Sequence, residues 1–375
     1  MMTSLLSPPT LPVSNQNLRY AEPHVIDFES LQAATIRGAF DQSLFDVLKN
    51  AAPTGLLHII NHGLDPSLFQ KLRAITYTYM MTATAEEKDA TSTVNGTGSF
   101  EGYKPRTDEE KRNSVLPVIE EYNYDYHSSG TIKRPKLIKD NEESISKIFD
   151  FYHRELTPHL LDFIGEFCGL QPGVLRQMHA ESSEVAHLLL YHPRWYEHVA
   201  RKRAAYAGHT DIGSLTYLYA NPVASLQIYG IRGWEYVAYI PNSIVVNMGD
   251  AMQFLTKGLM NATLHRVIRP TSEQDEAIRT ALVYFVHPNH SSMSASLSHF
   301  QKLRANYTRD TKASPGCLIN GVGLNRVISS LSAIREDPYL SPVDSKAWVS
   351  SRNGGLVASP RGFCVNFETL TVSMV

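Results

Sequence analysis

Cysteine is scarce in this chain: Cys168, Cys317 and Cys364 are the only three in 375 residues, far apart and without CxxC spacing. That argues against a disulfide framework or a zinc knuckle and fits a reducing compartment such as the cytoplasm. Neither sign of charge dominates, since 35 Lys and Arg stand against 37 Asp and Glu for a formal net charge of −2. Phosphate backbones and anionic bilayers have little to attract them here, so neither nucleic acid nor membrane is an expected partner. Long apolar runs are missing too, and no stretch reaches the roughly 20 residues that span a bilayer. The opening MMTSLLSPPTLPVSNQ has no basic region ahead of an apolar one and meets prolines early, which speaks against a secretory leader. What remains is a globular composition, 43% hydrophobic and 19% charged, suited to an enzyme or binding protein for small molecules.

Patterning divides the chain into four stretches. Residues 1–22, rich in Pro and Ser, read as a flexible arm. Residues 23–180 alternate a few strand-like runs with helical ones. HVIDF and TGLLHIINHG read as short strands, and Gln32 to Lys49 as one amphipathic helix with apolar residues at three- and four-residue steps. PSLFQKLRAITYTYM opens with Pro at a helix start, and a long stripe from Ile145 to Phe167 closes at Gly169. A Gly-rich segment, NGTGSFEGYKP, offers a place for an active-site cover. From about 181 to 290 the pattern changes to closely spaced β-formers broken by Gly, Pro and Asn, as in HLLLYHP, SLTYLYA, SLQIYG, SIVVNMGD and RTALVYFVHP. Such spacing predicts an antiparallel sandwich or barrel. Residues 291–375 lose periodicity and read as an extension packed on the core.

The sharpest local feature is GHTDIGSLTYLY, where His209 and Asp211 are separated by one residue. Along an extended backbone, alternate side chains share a face, so an imidazole and a carboxylate converge. His265, in GLMNATLHRVIRP, lies far enough downstream for antiparallel strands to return it to the same place. Two imidazoles and one carboxylate leave coordination positions open, the arrangement favoured by non-haem Fe(II) oxygenases. An HxD pair alone arises often by chance, and the further histidines His58, His62, His187, His287 and His290 read as structural or surface residues. Arg279 adds weight: with Ala281, Val283 and Phe285 it shares one face of a strand, and a guanidinium pointing into an apolar barrel needs an anion. A surface position or an internal salt bridge is the other reading.

With those residues in place, the chain resembles the isopenicillin N synthase-like branch of the Fe(II)/2-oxoglutarate-dependent dioxygenases over roughly residues 23–290. The Asn61-His62-Gly63 turn and the ordered segments GHTDIGSLTYLY, SLQIYG, VVNMGDAMQFLTKG, ATLHRV and RTALVYF carry the likeness. It implies an α+β fold, a double-stranded β-helix (jelly-roll) core flanked by N-terminal helices. It also implies a metal triad of His209, Asp211 and His265, with Arg279 as the cosubstrate anchor. Gly249 and Asp250 match an architectural turn. The implied cofactors are Fe(II), 2-oxoglutarate and dioxygen, and the implied reaction couples decarboxylation of 2-oxoglutarate to oxidation of a small organic substrate.

Two departures mark the cosubstrate pocket. Ala281 stands where the family has a serine after the arginine, and in LLLYHPRW the tyrosine and asparagine positions read as His192 and Leu190. His192 is accordingly the expected replacement donor to the cosubstrate. Within the family, the altered motifs and long tail compare best with fungal secondary-metabolism enzymes. The alternating Tyr122, Tyr124 and Tyr126 have two readings, a pocket for an aromatic or polyketide substrate and plain core packing, of which packing is favoured. Two rivals stay open: a cosubstrate-independent Fe(II) oxidase or oxygenase, and a non-catalytic jelly-roll binding protein.

Overall fold

The computed structural model describes residues 4–93, 101–105, 119–126, 134–180, 184–193 and 206–289, together with three short backbone strands between 356 and 374. Part of the Gly-rich segment, at 95–100, and most of the C-terminal extension lie outside the described residues.

The N-terminal half supplies a helical layer. Its helices are α1 (Phe28–Arg37), α2 (Gln42–Ala51), α3 (Pro66–Thr82), α4 (Ala85–Ala90), α5 (Lys136–Asp140), α6 (Glu142–Phe151), α7 (Thr157–Phe167) and α8 (Val174–Gln177). The single helix expected over 32–49 is two. Gly38 adopts φ +69° and returns its N–H to Ala34 and Thr35, ending α1, and α2 starts after Asp41. The apolar period spans both helices because both bury the same side, with Leu31, Ala34, Leu44 and Leu48 in one core. The stripe at 145–167 is α6 and α7 joined through a π turn at Tyr152–Leu156, where the Thr157 N–H reaches back to the Tyr152 carbonyl. Pro158 lacks an N–H and its ring crowds the carbonyl four residues earlier, which the wider turn accommodates.

Two sheets face each other. The larger contains β1 (Val25–Asp27), β2 (Leu56–Ile60), β3 (Gly102–Lys104), β4 (Ile119–Asp125), β5 (Val185–Tyr191), β7 (Leu215–Tyr219), β10 (Ile244–Met248) and β12 (Arg279–Val286), in the order β1-β2-β10-β7-β12-β5-β4-β3. The smaller contains β6 (Tyr206–His209), β8 (Leu226–Gly230), β9 (Gly233–Tyr236) and β11 (His265–Val267), in the order β6-β11-β8-β9. Apart from the parallel β1–β2 pair, all of these pairings are antiparallel. Alternate residues of the larger sheet therefore serve two cores. Leu188, Leu190, Tyr217, Leu282 and Tyr284 pack beneath the helices, while Leu189, Tyr191, Leu218, Val245 and Ala281 meet the smaller sheet. This is the expected α+β jelly roll.

The arm is tied down over its described residues. Ala21 N–H donates to the Tyr236 carbonyl and Tyr236 N–H to the Arg19 carbonyl, each at 2.9 Å, so the arm covers the edge of β9. Gln274 Nε2 donates to the Pro12 carbonyl at 2.7 Å, and Asn15 N–H to Glu273 at 2.6 Å. Proline and serine read as looseness in the sequence, whereas here they supply an extended strap whose backbone groups bond to the barrel.

Candidate metal centre

His209 ends β6 and pairs directly with His265, the first residue of β11. Direct cross-strand partners hold their Cβ atoms close, and here the rings stand 4.3 Å apart between centroids. Asp211 follows one residue beyond β6 and turns its Oδ1 to both rings, 3.7 Å from His209 Nε2 and 3.8 Å from His265 Nε2. One ligand atom from each of the three lies within 4.8 Å of the others.

Neighbouring groups set the state of these donors. His265 Nδ1 lies 3.0 Å from the Thr263 carbonyl, so that nitrogen carries the proton and Nε2 presents its lone pair. Asp211 is buried, and its Oδ2 accepts from Thr216 Oγ1 at 2.6 Å and Asn247 Nδ2 at 2.8 Å. Burial alone would raise this carboxyl, but His265, His209 and the two hydrogen bonds outweigh it and hold it below its ordinary range. Thr216 and Asn247 are themselves cross-strand partners on β7 and β10. Gly249 allows the Asp211 loop to lie against the end of β10: a Cβ there would come within 2.1 Å of the Gly213 carbonyl oxygen and 2.8 Å of that of Asp211. The Asp250 N–H then donates to the Asp211 carbonyl at 2.7 Å. The expected architectural part for Gly249 is thus visible as a close approach. The Asn61-His62-Gly63 turn has a similar role, with His62 Nε2–H donating to the Asn242 carbonyl at 3.0 Å and Nδ1 accepting from Leu64 N–H.

A cavity of about 230 Å³ opens between the sheets, and the three convergent residues line it together with Arg279 and Tyr191. Arg279 starts β12 opposite Tyr191 at the end of β5. Its guanidinium lies 4.4 Å from the Tyr191 ring centroid, and Nε and Nη1 find no acceptor among the described residues. Leaving two nitrogens of a buried guanidinium without acceptors is costly, so the cavity calls for an anion at this end. Burial raises the Tyr191 hydroxyl, partly offset by the charge of Arg279 and a hydrogen bond with it. Two imidazoles, one carboxylate and a buried cation in one cavity fit a divalent metal with an anionic chelator.

His192 is not brought to this cavity. Its Nε2 sits 2.8 Å from Glu120 Oε1, in a cluster where Glu120 Oε2 also accepts from Lys88 Nζ at 2.6 Å and Tyr103 at 3.0 Å. The expectation fails by one residue of register. Along β5 it is His187, Leu189 and Tyr191 that line the cavity, while Leu190 packs under the helices. Tyr191 is the side chain that sequence reasoning missed, and Thr216 and Asn247 are the others. A strict period of two, which puts His192 on the face of Leu190 and Leu188 and leaves Tyr191 on the other, would have been the signal for the first. The tyrosines of β4 and the one just after it face the helical side: Tyr122 and Tyr124 are buried in the main core, and Tyr126 donates to Asp150 at 2.5 Å. Core packing accounts for them.

Comparison with known proteins agrees with this geometry. Residues 184–288 match the family model described as 2OG-Fe(II) oxygenase superfamily. Flavonol synthase/flavanone 3-hydroxylase of Matthiola incana is 26% identical over 253 residues, covering 67% of this chain and 83% of that protein. Leucoanthocyanidin dioxygenase of Perilla frutescens is 25% identical over 276 residues, covering 70% and 71%. Among solved structures, a full-length Neurospora crassa protein crystallised in complex with alpha-KG and thymine superposes with a TM-score of 0.59 at 19% identity, over 75% of this chain and 89% of that one. JOX2 in complex with 2OG, Fe and JA gives 0.56 at 22% identity, over 76% and 81%. No helix among the described residues is long and apolar enough to cross a membrane. Residues 184–288 thus match a 2OG-Fe(II) oxygenase domain, and the protein is an oxidoreductase, a dioxygenase whose cofactors are Fe(II), 2-oxoglutarate and dioxygen.

Proposed function

We propose that this enzyme oxidises a small organic molecule, an intermediate of secondary metabolism, by hydroxylation or a related C–H oxidation, and that it is an isopenicillin N synthase-like member of the superfamily. In this reading His209, Asp211 and His265 hold Fe(II), and Arg279 and Tyr191 hold the far carboxylate of 2-oxoglutarate. When bound, the iron and 2-oxoglutarate supply the oxidising power, with 2-oxoglutarate leaving as succinate and carbon dioxide. The observation that carries the proposal is the buried, partly unpartnered Arg279 in the same cavity as three convergent ligand atoms.

The chain's own residues orient and exclude. Thr216 and Asn247 occupy Asp211 Oδ2 and turn Oδ1 to the metal position. The Thr263 carbonyl fixes the His265 tautomer. Arg279 offers the planar two-donor fork that a carboxylate needs, and the Tyr191 hydroxyl takes the place of the donor that Ala281 cannot give. Leu189, Leu218 and Val283 keep the cavity wall apolar, which limits water beside the metal. The relatives support the substrate class: two are named for flavonoid chemistry, and neighbours of similar fold were crystallised with thymine and with JA. A cytoplasmic setting completes the proposal, supported by the scarcity of cysteine.

Ala281 and Leu189 also favour a second reading, in which Arg279 binds a carboxylate of the substrate and no cosubstrate is used. Succinate formation separates the two. In air, with Fe(II), 2-oxoglutarate and substrate, the proposal requires one succinate per oxidised product and none from Asp211→Ala. Product without succinate would establish the second reading instead.

A further inference from the structure

Two polar, titratable side chains of the cavity have no part in the chemistry above: Lys104 and His187. Both are tied to Glu121. Lys104 Nζ lies 3.2 Å from Glu121 Oε2, and His187 Nδ1 lies 3.1 Å from Oε1. The register explains the cluster. Lys104 on β3 stands opposite Glu121 on β4, Glu121 opposite Leu189 on β5, and His187 is the next cavity-facing residue along β5. Phe285 packs against the His187 ring, 4.7 Å between centroids, and Val283 stands opposite His187 on β12.

The chemistry of the set is narrow. The negative charge of a carboxylate oxygen 3.1 Å from Nδ1 favours the imidazole tautomer with its proton on that nitrogen, which leaves Nε2 as the acceptor of the ring. Burial pushes His187 below the ordinary imidazole range, against the pull of Glu121, so the ring is neutral at neutral pH. Lys104 and Glu121 then cancel, and the cluster combines an ammonium donor with an imidazole acceptor at no net charge. A carboxylate arriving here would meet Glu121 and an ammonium already neutralised. A hydroxyl suits both partners, since it accepts from Lys104 and donates to His187.

We propose that Lys104, Glu121 and His187 form a substrate-recognition subsite for a neutral hydroxyl group on a compact, otherwise apolar substrate. The inference rests on the reading above, in which Arg279 is reserved for the cosubstrate. It makes the substrate an alcohol or phenol, not an acid, and makes Glu121 a positioning residue that acts through the other two.

Three probes of one skeleton test it: naphthalene, 2-naphthol and 2-naphthoate, titrated calorimetrically into the anaerobic protein loaded with Fe(II) and 2-oxoglutarate at pH 7. Wild type is expected to bind 2-naphthol about tenfold or more tightly than either other probe, the worth of a hydrogen bond to a charged group. His187→Leu and Lys104→Met should each bring 2-naphthol down towards naphthalene. Glu121→Gln removes the compensating charge and should turn the preference towards 2-naphthoate, a change that a merely structural role for Glu121 would not produce. Equal binding of the three probes by wild type, tighter binding of 2-naphthoate, or an undiminished hydroxyl preference in His187→Leu would each overturn the proposal. The absorption band of the Fe(II)–2-oxoglutarate chelate is recorded in the same samples. A band without hydroxyl preference defeats this inference alone, whereas no band defeats the metal reading beneath it as well.

Discussion

At the scale of single residues, the account turns on a buried cation with too few partners. Lys in place of Arg279 keeps the charge but loses the planar fork, so Arg279→Lys should weaken 2-oxoglutarate and Arg279→Leu should weaken it further. Tyr191→Phe should cost about tenfold or more in the dissociation constant, the effect of removing one hydrogen bond to a charged carboxylate. His192→Phe should leave that constant unchanged, because its ring belongs to the Glu120 cluster. Anaerobic titrations of the four variants check this, and a large effect of His192→Phe with none from Tyr191→Phe would reverse the assignment. The convergence of His209, Asp211 and His265 and the cavity position of Arg279 were legible in the sequence because these residues occur together in one order along the β-rich stretch, where no single one of them would have sufficed. Tyr191 was not, since neighbouring candidates on a strand differ only in which face they occupy, and one residue of offset exchanges the faces.

At the scale of elements, the metal position depends on a loop pressed against the end of β10. Gly249→Ala places a Cβ 2.1 Å from the Gly213 carbonyl oxygen, which must displace the backbone carrying Asp211. Thr216→Val removes one of the two donors that hold the Asp211 carboxylate. Both substitutions should lower Fe(II) affinity about 10- to 100-fold while the far-ultraviolet circular dichroism stays close to wild type. Unchanged affinity in both would mean that the loop does not position Asp211. The strands were legible from their composition and turns, and HLLLYHP, SIVVNMGD and RTALVYFVHP became β5, β10 and β12. The break between α1 and α2 was hidden because an apolar period continues across it, and only Gly38 in the left-handed region marks the end of α1. The partners of Asp211 were hidden for another reason: Thr216 and Asn247 become neighbours only through the β7–β10 pairing, which no local pattern encodes.

At the scale of the whole molecule, two buried histidines tie stability to pH. Burial pushes His58 and His179 down to about 4, and neither ring is more than 4% exposed. The unfolded chain, with imidazoles near 6.5, binds protons that the folded chain refuses. Stability from these rings is therefore complete above about 6.5 and is lost as pH falls towards 4, by roughly 3 kcal/mol each over the full window. His153, raised by its hydrogen bond to Glu184, works in the opposite direction at higher pH. Urea denaturation at pH 7, 5 and 4 should show this acid weakening, and His58→Leu should flatten it. An identical pH profile in His58→Leu would exclude His58 as a cause. The fold places these rings in its interior while His209, Asp211, His265, Arg279, Lys104 and His187 line one cavity between two sheets. The central claim is that Fe(II) and 2-oxoglutarate bind together in that cavity, and anaerobic titration of the protein with both, followed by visible absorption, tests it most directly. A charge-transfer band should appear only when both are present, saturate at one chelate per chain, and be lost in Asp211→Ala and in Arg279→Leu at the same 2-oxoglutarate concentration; a folded wild-type protein that gives no band would contradict the account.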